Sequence, residues 1–267
     1  MAKNNKPVEQ KAPIEPAKLP VIAATSNPLA ALQAAGASDE LMERVSEVAN
    51  NLESLDDFRL PRMKMNSDGV VVREDEQATQ SIEVIILHSK AVKQYYNKPY
   101  NKKELTPPTC YSKNGKIPEA DGEEIQHPTC KGCPQNEFGT NQMGEGKACR
   151  DLKPLHVLMS EDAIIPRQIS ISPTSLKAAN AYFMDLTERG VAYWKVKTLI
   201  EFYKEDADDK FVKARFKMSS KITDEAKVKD ITALRNYWLP VMANQTVDGE
   251  DAAPQAQAAP VDTKGEY

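Results

Sequence analysis

Residues 167–218 read RQISISPTSLKAANAYFMDLTERGVAYWKVKTLIEFYKEDADDKFVKARFKM, and this stretch decides the fold class. Arg167–Ile171 alternates as a strand. Ser172-Pro173 then supplies a helix-opening pair, since proline has no N–H to lose in the first turn. Leu176, Ala179, Phe183 and Leu186 recur at helical spacing, and Gly190 marks the stop. Two alternating segments follow, Tyr193–Lys204 and Phe211–Met218, joined by the short acidic linker EDADDK, which reads as a hairpin. On the first, Trp194, Val196, Ile200 and Phe202 form a core-facing set. On the second the set is Val212, Ala214, Phe216 and Met218. The opposite faces carry Tyr193, Lys195 and Lys197, then Phe211, Lys213, Arg215 and Lys217, with no acid before Glu201. Cations that meet phosphates beside rings on which bases stack are the combination that single-stranded nucleic acid requires.

Upstream, FRLPRMKM, GVVVR, SIEVIIL and PLHVLM read as strands, and a last helix over roughly Thr223–Ala243 buries Ile231, Leu234, Trp238 and Val241. Early strands, one more strand, a helix and then a hairpin is the order of elements in an OB-fold, whose barrel binds oligonucleotides. The expected architecture is therefore a β-rich α+β chain. An OB-fold-like barrel spans 58–244, with a metal-stabilised loop insertion at 97–151 and a C-terminal helix.

The flanks differ in composition. Residues 1–37 hold Pro7, Pro13, Pro16, Pro20 and Pro28 among small and polar residues, which predicts a disordered arm. Residues 38–57 predict an amphipathic helix with Ser38 as N-cap and an apolar stripe Leu41, Val45, Val48, Leu52 and Leu55. That stripe docks on the main domain or, alternatively, supports homo-oligomerisation. Residues 245–267 are Ala/Pro/Gln-rich and acidic, a disordered tail by composition.

All four cysteines of the chain fall within forty residues: Cys110, Cys130, Cys133 and Cys149. Cys130-Lys-Gly-Cys133 forms a knuckle in which Gly132 lets the backbone turn. The surrounding Pro- and Gly-rich segment has little core of its own. Four thiolates in a closed site predict structural zinc, with an iron–sulfur cluster as the second choice. Tyr111, Lys113, Lys147 and Arg150, in or beside this insertion, extend the expected nucleic-acid-binding set. The cysteines also suit a reducing, cytoplasmic location, and with no run of 18 apolar residues no membrane association is expected.

Net charge is −4 over 267 residues, which excludes a histone-like polycation and leaves local basic faces open. The sequence lacks the phosphate-cradling Gly loop, GxSxG, HExxH and the dinucleotide fingerprint, so no catalytic residue is nominated. His88 and His156 read as strand residues, and Asp206, Asp208 and Asp209 as a solvated turn.

The segments PPTCYSKNGKIP (107–118), HPTCKGCPQNEFGT (127–140) and GKACRDLKPLHVL (146–158) resemble a group of bacteriophage-encoded proteins over about Phe58–Asn244. A looser resemblance is to phage single-stranded DNA-binding proteins. These are OB-folds, some with structural zinc, and they end in an acidic mobile tail. The terminal Gly265-Glu266-Tyr267 is similar to such tails. The resemblance implies a protein of the host-cell cytoplasm that coats single-stranded DNA in replication or recombination. Its tail would contact replication or recombination proteins. The alternatives are a zinc-stabilised phage structural or assembly protein without nucleic-acid affinity, and a duplex-binding accessory factor.

Overall fold

A computed structural model describes residues 28–53, 59–73, 76–97, 107–141, 144, 146–206, 209 and 212–245. It shows a mixed α+β chain in which a nine-stranded sheet curls into a half-barrel. The strands are β1 (Arg62–Asn66), β2 (Gly69–Val71), β3 (Ser81–Ser89), β4 (Val92–Tyr95), β5 (Cys110–Ser112), β6 (Arg150–Leu158), β7 (Arg167–Ile171), β8 (Val196–Tyr203) and β9 (Lys213–Lys221). Helices are α1 (Pro28–Ala34), α2 (Asp39–Glu53), α3 (Leu176–Glu188) and α4 (Glu225–Asn244). Sheet order runs β2-β1-β7-β6-β3-β8-β9, with β4 paired to β5 and to the start of β6. Neighbours are antiparallel except β1 and β7, which run parallel.

The long strand β3 organises the curl. Its first half pairs with β8, Ile82 opposite Ile200, and its second half with β6, Ile86 opposite Val157, with a register shift between Ile86 and His88. Because side chains alternate across a strand, β3 feeds two cores. Ile82, Val84 and Ile86 point inward and join Leu155, Val157, Ile169, Ile171, Val196, Ile200 and Phe202, closed by Ala179, Tyr182 and Leu186 of α3. Ile85 and Leu87 point outward and join Leu158, Ile231, Leu234, Trp238 and Met242, so α4 covers the outer face of that half of the sheet.

Local signals explain the helix limits. A 3-10 turn at Pro173–Ser175 precedes α3, and Gly190, at φ 65°, follows it. The Asp224 carboxylate caps α4 by accepting from the backbone N–H groups of Ala226 and Lys227, at 2.8 and 3.3 Å. Ser38 caps α2 through its Oγ, which accepts from Leu41 N–H at 3.1 Å and donates to the Asp230 carboxylate of α4 at 2.8 Å. Leu41 is buried and Val45 packs on the same cluster, so the first half of the α2 stripe docks on the main domain. The side chains of Leu52 and Leu55 lie outside the described residues.

Several expectations change. Within the segment expected to be disordered, residues 28–34 form α1, and Leu32 is fully buried in the outer core. Residues 1–27 of that arm, and the tail from 246, lie outside the described residues. Strand β8 starts at Val196, not Tyr193, because Tyr193–Lys195 forms a 3-10 turn. Its inward face therefore reads Val196, Thr198, Ile200 and Phe202, and Trp194 packs instead against the outer core. Strand β4 was hidden inside a polar run, where only Val92 and Gln94 turn inward. Among the described residues, no helix is long and apolar enough to cross a membrane.

Candidate nucleic-acid interface and the cysteine insertion

The outward side chains of β8 and β9 are half-buried or exposed, whereas α4 packs on β3 and the end of β6. Register places Tyr203 opposite Lys213, Glu201 opposite Arg215, Leu199 opposite Lys217 and Lys197 opposite Ser220. Burial alternates along both strands, so Lys197, Leu199, Glu201 and Tyr203 share this face with Lys213, Arg215 and Lys217. The Arg215 guanidinium lies 5.0 Å from the centre of the Tyr203 ring, a cation–π pair that holds both groups outward.

Much of the charge is balanced. Arg215 Nε meets Glu201 at 3.0 Å, Lys197 meets Glu161 at 2.7 Å, and Lys213 meets Glu205. Hydrogen bonds to those carboxylates raise the pKa of Lys197 and Lys213, so both stay cationic. Lys195, Lys217 and Lys221 are exposed and have no acidic partner among the described residues. Of these, Lys217, opposite Leu199, shares the outer face; Lys221, opposite the inward-facing Val196 after the register shift, lies on the other side, and Lys195 sits in the 3-10 turn.

Two aromatics of the expected face fall elsewhere. Tyr193 sits in the 3-10 turn, edge-on to Phe183 at 5.4 Å and to Trp194 at 5.1 Å, so it packs at the rim of the core. The period of two was extended into a turn where it does not hold. Phe211 lies outside the described residues. The ring that does face outward is Tyr203, which the same alternation reaches if followed six residues beyond Lys197.

Among the described residues, the insertion contains no metal-binding group. All four cysteines line one small pocket, together with Lys93, Tyr111, His127 and Asn136. Among the described residues, however, no group of three or more His, Cys, Asp or Glu side chains is placed to hold a metal ion. Both the zinc and the iron–sulfur expectations are thereby corrected. The thiols are free, and burial raises the pKa of Cys130 and pushes the Cys149 thiol up to about 12. Proximity in sequence brought the four sulfurs to one pocket but did not converge them on a point.

Hydrogen bonds tie the loops instead. Gly132, at φ 79°, turns the knuckle as expected, and Cys130 N–H donates to Lys116 O at 2.8 Å. Cys149 N–H donates to Gln135 O at 2.7 Å, which closes the segment onto β6. Beneath them, Asp151 accepts from Lys93 and from Lys147, the latter at 3.0 Å, while Lys93 also reaches Asn136 Oδ1 at 2.9 Å. These hydrogen bonds hold the Asp151 carboxyl below its ordinary range, although burial opposes them.

The remaining expected contacts are thus structurally engaged. Lys147 also lies 5.3 Å from the ring centre of the exposed Phe138. Lys113 pairs with Glu119 at 3.4 Å. The Tyr111 hydroxyl donates to Asp121 at 2.6 Å, and burial, aided by that bond, raises its pKa. Arg150 is partly buried opposite Gln94 on β4. Compared with protein-family models, with curated proteins and with solved structures, the chain gives no match.

Proposed function

We propose that the chain binds single-stranded DNA along the outer face of β8 and β9, as a non-catalytic protein of phage replication or recombination. The observation that carries this reading is the Tyr203–Arg215 pair beside the open cation Lys217, all three on the outer face. It offers one ring for base stacking, with Arg215, Lys217 and the acid-paired Lys197 and Lys213 as cations for phosphates. The surrounding ion pairs do not oppose it. Exposed pairs are worth about 0–1 kcal/mol each, so a phosphate can replace Glu201 or Glu161 as the partner at little cost.

The topology supports the same reading. Within the sheet, β3, β6, β7, β8 and β9 with α3 between β7 and β8 follow the order of OB-fold strands and helix. We read the half-barrel as an open variant of that fold, with the β1–β2 hairpin on the free edge of β7 in place of closure. The cysteine insertion then extends the loop between the first two barrel strands. The acidic tail after residue 245 would recruit replication or recombination proteins.

Fluorescence anisotropy with a labelled single strand and its duplex, at low and moderate salt, tests the reading. Salt-sensitive binding that favours the single strand is expected. Absence of binding at low salt overturns it. Equal affinity for both forms favours the duplex-binding accessory role.

A further inference from the structure

Buried polar atoms without a hydrogen-bond partner are rare in folded proteins, and each calls for a reason. In this chain they are gathered in one layer. Both ring nitrogens of His156, Gln168 Oε1, Gln245 Oε1, Arg235 Nε and Trp194 Nε1 lack partners among the described residues. His156 and Gln168 are respectively 0% and 1% exposed. Their strand neighbours Leu155, Val157 and Ile169 face the inner core, so both side chains point to the outer face that α4 covers.

Pairing aligns them. Arg62 of β1 lies opposite Gln168 of β7, Gln168 opposite His156 of β6, and His156 opposite His88 of β3. The two imidazole rings are 5.8 Å apart. A polar row thus crosses four strands beneath the end of α4. Lys90 stands beside it and donates to Ala243 O and Gln245 O, each at 2.8 Å. Gln245 completes the cover, its Nε2 donating to Leu60 O at 3.3 Å.

That cover has a built-in weak point. Pro240 lies inside α4 and supplies no N–H, so the turn after it is tied to the rest of the helix by one bond fewer. Residues 241–245 are held instead by Met242 in the outer core, by Lys90 and by Gln245. The row lies in a positive field. Burial is the first cause disfavouring both imidazolium forms, and Lys90 with Arg235 at His88, and Lys90 with Arg62 at His156, add to it. Cations that repel a proton from two imidazoles attract an anion, and imidazole and amide N–H groups are suitable donors to one.

We propose that the last turn of α4, residues 241–245, is a displaceable cover, and that the row Arg62, Gln168, His156 and His88 with Lys90 is a phosphate-binding surface beneath it. The phosphate comes from a nucleic-acid backbone or from a free anion, and only the first source rests on the single-strand reading above.

The full chain has three histidines, so ring signals of His88, His156 and His127 can be followed separately by NMR, with His127 in the insertion as internal control. Inorganic pyrophosphate and an oligothymidylate are titrated in turn. Shifts confined to His88 and His156 are expected. Met242→Ala, which loosens the last turn without touching the row, should lower the half-saturating concentration at least threefold. In the parent, amides of 241–245 should exchange at least tenfold faster than those of 226–238.

Silent His88 and His156 signals with both probes overturn the surface. Equal exchange along α4, or half-saturation unchanged in Met242→Ala, overturns the cover. The failures separate cleanly. Oligonucleotide binding by anisotropy with silent histidines removes this inference and leaves the single-strand reading. Pyrophosphate shifts without oligonucleotide binding do the reverse.

Discussion

Acid should loosen this protein well above the pH at which carboxylates titrate, and His156 is the main cause. The ring is fully buried with neither nitrogen paired, and Gln168 beside it falls short of hydrogen-bond geometry. Desolvation, reinforced by Lys90, lowers its pKa from 6.5 to about 3. The sign follows from linkage: the unfolded chain takes up a proton as pH falls through 6.5, whereas the folded chain resists until about 3. Stability contributed by the neutral ring is therefore full above 6.5 and lost on acidification. Between pH 7 and pH 5 the loss is about 2 kcal/mol for a group shifted this far. His88, lowered to about 4 mainly by burial, adds roughly 1 kcal/mol once its partial solvation is allowed for. Asp151 and Asp162, both lowered from 3.8, titrate below this window, and Lys90, at about 8, above it. A loss of about 3 kcal/mol corresponds to a fall in Tm of about 6–12 °C for a domain of this size. Thermal melts by circular dichroism at pH 7, 6 and 5 and fixed ionic strength measure it. His156→Leu should leave neutral-pH stability unchanged or slightly raised, since it removes two unpaired nitrogens, and should reduce the fall to about 1 kcal/mol. A Tm flat to about 2 °C across the window, or an equal fall in His156→Leu, refutes the reasoning.

Reversing Arg215 and Lys217 to Glu should weaken single-strand binding and reduce the salt slope by about two units, one per lost phosphate contact, read from anisotropy at several salt concentrations. Dialysis of the full chain against a strong chelator should leave both the melting curve and the metal content unchanged, because no group among the described residues is placed to hold an ion; mass spectrometry of metals checks it. Asp151→Ala removes the carboxylate shared by Lys93 and Lys147 and leaves two partly buried ammonium groups without it. Limited proteolysis should then cut within 107–149 at a protease concentration the parent survives, with about 1–3 kcal/mol lost. Ser175→Ala strands the buried backbone N–H of Ala214, which now donates to Ser175 Oγ at 2.8 Å, and should cost about 1–3 kcal/mol in denaturant unfolding.

What could be read in advance depended on whether the signal was local. The β7–α3–β8–β9 run carries its own punctuation, namely Ser172-Pro173, Gly190 and strict alternation, and the structure follows it closely. The caps at Ser38 and the buried set Ile231, Leu234 and Trp238 were equally legible. Elsewhere, distant partners decided. Pro28–Ala34 is helical because Leu32 finds the outer core, which no local pattern announces. The polar row on β1, β7, β6 and β3 needed the register of four strands drawn from separate parts of the chain. The cysteines show the opposite failure. Their spacing was a strong signal, but convergence of ligands is a three-dimensional property that spacing alone does not fix.

Among the described residues, the half-barrel ends at β9 with one strand edge unpaired, and an open edge is an invitation to pair with another chain. Two features discourage that. Ser175 takes up the N–H of Ala214 near one end of the strand, and Lys213, Arg215 and Lys217 line one face of it with like charge. Two copies meeting edge to edge in antiparallel fashion would bring these rows against each other. The cations proposed for a ligand therefore also discourage edge-to-edge pairing, and neutralising them should lower the concentration at which copies of the chain begin to associate.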